Sequence, residues 1–259
     1  MTFIITVYVN EGIVMASDSR LTLSRTLTNE NAFKAQQNQV LMDIVQSDAN
    51  FKLFLAPNGV GISTCGDASV NGEPLAGFIE AFMDEEIAQV FNSPVEGDDV
   101  IEGTEVDKVA DQLLEYFKKL PGPPDTAFHV AGYKTEGGKR VQQIWRVSIK
   151  SGEKALVNSN GEKGVLWDGE GDVMYRLMQP VYRKNDRGEY VSMENPEIAF
   201  HYFTIQDAID FAVYATRTTV ETIRFVATRS KTVGGPIDVL VIKPRDTFWV
   251  QRKQLQVNP

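Results

Sequence analysis

The chain opens on an unbroken apolar run. Phe3 to Val9 is β-branched and aromatic, Asn10-Glu11-Gly12 carries turn chemistry, and Ile13 to Ser17 is apolar again. This pattern predicts two strands joined by a tight turn. A sheet that begins at residue 3 would hold residue 2 in place, which any chemistry at an N-terminus requires. Residues 21 to 50 break the pattern with an excess of Thr, Ser, Asn and Gln, and read as a long loop or partly helical excursion. A hairpin follows, Lys52 to Ala56 and Val60 to Thr64, with its turn at Pro57-Asn58-Gly59.

Apolar positions then recur at helical spacing. Leu75, Phe78, Ile79, Phe82 and Met83 predict one helix, and the acidic, Gly- and Pro-containing stretch 93–103 a surface loop. Thr104 with Asp107 makes a capping-box pattern ahead of a second helix faced by Val106, Val109, Leu113, Leu114 and Phe117. Pro121-Gly122-Pro123-Pro124 stops it. Strands resume at Thr126–Tyr133 and Val141–Ile149, joined through Glu136-Gly137-Gly138. A short strand at Val165–Trp167 precedes Gly169-Glu170-Gly171, with a helix expected near Asp172. Thr204 with Asp207 is a second capping box, before a long amphipathic helix carrying Ile205, Ala208, Ile209, Ala212, Val213, Val220 and Ile223. Ile237–Ile242 and Thr247–Val250 are the last strands.

Strands, two helices, strands, two helices, strands is the order of an α+β fold. Clustered hairpins with helix pairs set apart predict antiparallel sheets carrying helices on their outer faces, and not βαβ units. Because the two halves interleave, residues 1–259 read as one domain with an enlarged loop at 21–50.

Composition narrows the chemistry. Hydrophobic residues make up 42% of the chain and charged residues 24%, which suits a packed globular core. A net charge of −9 and a pI near 4.9 disfavour binding to a phosphate backbone, so no nucleic acid is expected. Cys65 stands alone, which excludes an intrachain disulfide and a Cys-rich zinc site, and reads as a small core residue. His129 and His201 lie in no metal-ligand or Ser-His spacing, and each reads as a structural histidine. Gly169-Glu170-Gly171 and Gly59-Val60-Gly61 lack the further glycines of a dinucleotide loop, and Pro236 removes a donor from the Gly234-Gly235 turn. No cofactor or metal is therefore expected. No apolar stretch has the length of a membrane span, and the start lacks a basic, signal-like region, so a cytoplasmic location is the default expectation.

One constellation remains. Thr2, a strand, a Gly turn and then Gly12-Ile13-Val14-Met15-Ala16-Ser17-Asp18-Ser19-Arg20 resemble the start of mature proteasome β-type subunits and their bacterial relatives. Phe51-Lys52-Leu53-Phe54, Gly61 to Ala68 and Gly234 to Ile242 are similar to later family segments, in the same order. The resemblance implies a four-layer αββα sandwich and an N-terminal-nucleophile hydrolase. In it Thr2 is the nucleophile once Met1 is removed, Asp18 and Lys52 are its support, and the backbone near Gly66 is the oxyanion site.

Chemistry supports these roles. A threonine hydroxyl needs a base within reach, and an N-terminal threonine carries its own, since an α-amino group has a pKa of about 7.7–8. A nearby lysine lowers the pKa values of hydroxyl and amine, and an aspartate holds that lysine charged where burial would be costly. An ordinary second residue, and a turn ion pair between Asp18 and Arg20, are the rival readings. Lys34 lies nearer the family's usual distance from the N-terminus, but only Lys52 opens a strand that leads to Gly66. Two departures stand out. Glu170 occupies the place of a family serine that supports the amine, as in some bacterial relatives, and Ser230 and Val233 stand where the family has Asp and Ser. A peptide or other amide substrate and a homo-oligomeric ring are the implied partners; an ATPase partner is not legible. A catalytically silent subunit that acts in ring assembly, and a small-molecule amidase, are the alternatives.

Overall fold

The computed structural model describes residues 2–27, 40–88, 105–193 and 197–255. β1 (Phe3–Val9) and β2 (Gly12–Ser17) form the opening hairpin. β3 (Leu21–Leu27) pairs with β4 (Val40–Ser47), and β5 (Leu53–Leu55) pairs with β6 (Gly61–Gly66). The short pair β7 (Ser69–Val70) and β8 (Glu73–Pro74) leads into α1 (Leu75–Phe82), which continues as a π-helical turn over Met83–Ala88. After α2 (Val106–Lys119) come β9 (Thr126–Glu136), β10 (Lys139–Ser148), β11 (Glu153–Leu156) and β12 (Gly164–Gly169). Then follow α3 (Asp172–Met178), the small hairpin β13 (Tyr182–Lys184) and β14 (Tyr190–Ser192), and α4 (Ile205–Phe225). β15 (Asp238–Ile242) and β16 (Thr247–Gln251) close the chain.

Two five-stranded antiparallel sheets result, ordered β12-β1-β2-β15-β16 and β11-β10-β9-β6-β5. Strand alternation assigns each residue a layer. On the first sheet Phe3, Ile5, Val7, Val14, Ala16, Val239 and Val241 pack outward against α3 and α4. On the second, Ile62, Phe128, Val130 and Val147 pack outward against α1 and α2. The alternate positions Tyr8, Ile13, Met15, Leu53, Ala131, Ile144, Leu240 and Ile242 fill the space between the sheets. The architecture is thus helices, sheet, sheet, helices: the four-layer αββα sandwich.

The helices form for the expected reasons. Thr204 and Asp207 exchange hydrogen bonds as a full capping box, satisfying two end groups of α4. The buried face of α4 is built mostly of small residues, Ala208, Ala212, Ala215, Thr216 and Thr219, so its axis lies close on β1 and β2. α2 buries Val106, Val109, Ala110, Leu113, Leu114 and Phe117 on one stripe. Gly137 and Gly138 take φ of 55° and 76°, the twist a two-residue hairpin turn needs between β9 and β10.

Two expectations change. Both described ends of the 21–50 stretch are strands, β3 and β4, and not loop or helix. The alternation of Leu21, Thr22, Leu23 and Ser24 is a strand period that the polar composition masks. The cap of α2 is Glu105, with no side-chain cap bond. Asp107 accepts from Lys134 and from the Lys108 N–H, adding a long-range ion pair that the capping pattern does not predict. Thr104 and the expected loop at 93–103 lie outside the described residues.

Candidate active site

Asp18 is the knot that ties the N-terminal end together. It follows β2 directly and is fully buried. Its Oδ1 accepts from the Phe3 N–H at 3.0 Å and from Lys52 Nζ at 2.9 Å. Its Oδ2 accepts from the Arg20 N–H at 3.1 Å and the Gly234 N–H at 3.0 Å. Four donors on one carboxylate meet the demand that a buried charge be paired and hydrogen-bonded. They also bring three distant segments to one point: the residue after Thr2, the start of β5, and the late Gly234-Gly235 turn.

Thr2 is held from the other side as well. Its carbonyl accepts the Glu170 N–H at 2.9 Å, where β12 ends beside β1. Gly169 makes that approach possible. Its φ is +97°, and a Cβ there would lie 1.7 Å from the Thr2 carbonyl oxygen, so no other residue fits without moving Thr2.

Lys52 is 3% exposed. Burial pushes its ammonium below the usual lysine range, and the Asp18 carboxylate pulls the other way. Its carbonyl accepts the Thr64 N–H, which locks β5 to β6 in the register that ends at Gly66. Gly66 itself has φ of +129°, and a Cβ would meet the Asp125 carbonyl oxygen at 2.2 Å. A narrow pocket opens at this point, lined by Thr2, Lys52, Thr64, Gly66, Asp67 and Leu75 among others. Thr2, Asp18, Lys52 and Gly66 therefore share one end of the sandwich.

No protein-family model matches the chain, and no curated protein does. Among solved structures it is similar to Anbu (ancestral beta-subunit) from Yersinia bercovieri, with a TM-score of 0.55 at 12% identity. The match covers 96% of this chain and 86% of that one. The fold is proteasome-like.

Within this proteasome-like sandwich, Glu170 is 8% exposed and its carboxylate is engaged. Thr232 Oγ1 donates to its Oε1 at 2.7 Å, and Arg229 Nη1 lies 3.7 Å from its Oε2 while pairing with Asp172 at 2.7 Å. Its contact with Thr2 is made by the backbone N–H. Arg20 pairs with Asp48 through two bonds of 2.6 and 2.8 Å, which leaves no turn ion pair with Asp18. Lys34 lies outside the described residues.

The remaining candidates are closed. Burial raises the Cys65 thiol to about 12, so it stays protonated and is no nucleophile. His129 is fully buried and engaged at both ring nitrogens, by Thr6 and by Asp168. Among the described residues, no group of three or more His, Cys, Asp or Glu stands together as a metal site, and no helix is long and apolar enough to cross a membrane. Sequence reasoning missed Thr232 and Arg229, whose contacts with Glu170 span about sixty residues. Their one local signal is nearness to the Gly234-Gly235 pair.

Proposed function

We propose that the chain is a threonine-dependent amide hydrolase, acting on peptide bonds, with Thr2 as its nucleophile once Met1 is removed. The observation that carries this reading is the Asp18 knot, which fixes Lys52 at the same buried end as Thr2, beside an open pocket. In the first step Thr2 Oγ attacks the carbonyl carbon as the free Thr2 amine takes the hydroxyl proton. The Lys52 charge favours the developing alkoxide, and backbone N–H groups near Gly66 receive the oxyanion. Collapse of the tetrahedral adduct expels the substrate amine, which takes the proton from the Thr2 ammonium. Water activated by the same amine then hydrolyses the ester and frees Thr2.

The second reading is a proteasome-like subunit without turnover, acting in ring assembly. It is favoured by Glu170, whose carboxylate is occupied by Thr232 and Arg229. One experiment separates the two. An epoxyketone, which captures a hydroxyl and an adjacent amine together, is expected to label Thr2 in purified protein, and intact mass to show Met1 lost. Thr2→Ala abolishes labelling and hydrolysis of a mixed peptide library, and Lys34→Ala leaves both within a few-fold. Met1 quantitatively retained, or labelling unchanged in Thr2→Ala, removes the hydrolase reading.

A further inference from the structure

Lys52 is not the only lysine buried on an aspartate at this end. Lys253, just past β16, is 9% exposed and directs Nζ onto Asp238 Oδ2, while its own N–H donates to Asp238 Oδ1 at 2.7 Å. Asp238 is fully buried at the start of β15, where it faces Ser17 across the strand pair, one residue before Asp18. The Lys253 ammonium also lies 4.3 Å from the centre of the Phe51 ring. Phe51 precedes Lys52 and lines the same pocket as Thr2. Arg252 continues the clamp, 5.5 Å from the Phe51 ring and 4.8 Å from that of Trp249.

A buried ion pair is weak evidence for stability, since apolar residues of similar volume commonly do as well. The second pair therefore calls for another explanation, and its neighbours supply one. We infer that Asp238 and Lys253 form a positioning pair for the site: they clamp Phe51, hold Lys52 on Asp18, and balance the charge around the Lys52 ammonium. The charged or titratable groups that act most on Lys52 are Asp18, Cys65 and Asp48. Those that act most on Lys253 are Asp238, Lys52 and Asp18, so the two lysines feel one another, and Asp238 sits opposite Ser17 beside Asp18. The Lys253 cation alone disfavours a proton on Lys52, and the Asp238 anion alone favours it. Paired, they nearly cancel.

This role predicts a shift and its reversal. Lys253→Met leaves the Asp238 carboxylate unopposed and raises the titration midpoint of Lys52. Adding Asp238→Asn removes that charge and returns the midpoint to the parent value. Lys253→Gln can still hydrogen-bond to Asp238 and makes the same charge change should the methionine variant fail to fold; Lys253→Arg keeps the charge and the parent midpoint. A purely structural pair would show no such rescue, because the double variant would sit as far from the parent as the single one.

The measurement is an NMR titration of protein carrying ¹³Cε-lysine, with the Lys52 signal assigned by Lys52→Arg. An upward shift in Lys253→Met or Lys253→Gln that Asp238→Asn reverses is the expected result. An unmoved Lys52 midpoint in the single variants, or no reversal in the double variant, overturns the inference. The inference builds on the hydrolase reading, but this readout needs no turnover. Loss of that reading with the charge coupling intact would show in the labelling of Thr2 alone.

Discussion

Two polar networks cross the space between the same two sheets, built from similar parts. At the N-terminal end Thr2 adjoins the Asp18–Lys52 pair. Deeper in the sandwich, Thr6 Oγ1 lies 2.9 Å from His129 Nδ1, His129 Nε2 lies 3.0 Å from Asp168 Oδ2, and Arg146 clasps Asp168 with bonds of 2.7 and 2.9 Å. Hydroxyl, imidazole and carboxylate in a row are the parts of a catalytic triad, yet Thr6 and His129 are fully buried. Asp168 only accepts, so the bonding pattern assigns the Nε2 proton to that bond and leaves Nδ1 to accept from Thr6. Burial holds His129 below the usual histidine range, hence neutral. Burial works to raise Asp168, but its bonds from His129 and Arg146 hold it at about 2.

The difference lies in access and not in residue type. The inner network is bonded at each described step, and although Arg146 reaches the surface its hydroxyl and imidazole are sealed from solvent, so it ties β1, β9, β10 and β12 together and offers a substrate neither base nor nucleophile. The outer one meets a pocket, and it depends on glycine backbone at 169 and 66 where side chains would intrude. The two are linked, since Asp168 precedes the Gly169 that admits the Thr2 carbonyl. A rigid inner network is the scaffold that a precise outer one requires.

The largest expected effect is at Asp18. Asp18→Asn leaves Lys52 buried without its counter-charge and turns an acceptor of four bonds into one that cannot take them all. We expect a loss of about 3–5 kcal/mol in urea unfolding, the usual cost of breaking a buried pair. Amide hydrolysis should fall by roughly 10²- to 10⁴-fold, as for other losses of electrostatic or base support. A variant with parental stability and rate would show that the knot matters to neither.

Next in size is the acid response of the inner network. The folded pKa of Asp168, about 2, lies below the ordinary aspartate value of 3.8. Its contribution is therefore present above pH 3.8 and is lost as pH falls toward 2, and the gap corresponds to about 2 kcal/mol. His129 acts in the same sense, because below about pH 6.5 the unfolded chain takes up a proton that the folded core resists. Urea midpoints of the parent should drop more steeply between pH 4 and 2 than those of Asp168→Asn. Parallel pH profiles for the two proteins would remove Asp168 as a source of acid sensitivity.

How much of this was legible in the sequence divides along the same line. Local regularities were readable: the β-branched run at Phe3–Val9, the Thr204–Asp207 box, and the apolar stripe of α2 each imposes its own conformation. The β3–β4 pair was hidden because Thr and Ser serve loops and strands alike. At the candidate site, the sequence could propose Thr2, Asp18, Lys52, Gly66 and Glu170, and the Asp18–Lys52 pairing, through a resemblance in spacing, but not their other partners. The Gly234 N–H on Asp18 is 216 residues away, and Thr232 is 62 from Glu170. Lys253 carried no pattern at all, since a lysine near a chain end looks like solvated surface until the fold seats it on Asp238. Residue types follow local rules, whereas hydrogen-bond partners are a property of the closed sandwich.

The smallest expected effect is the most telling for the comparison. Thr6→Val keeps the shape of the side chain and removes only the hydroxyl that His129 Nδ1 engages. A buried ring nitrogen without a partner costs about 1–3 kcal/mol, so the unfolding midpoint should fall by a corresponding amount. Epoxyketone labelling of Thr2 should stay within about twofold of the parent, because effects at sites without shared partners are close to additive. None of the four donors on Asp18 touches Thr6. The two readouts thus move independently only if the inner network is scaffold and the outer one holds the chemistry. Should Thr6→Val abolish labelling while the protein remains folded, the division fails, and the Thr6–His129–Asp168 row must be counted as part of the machinery that sets Thr2 in place.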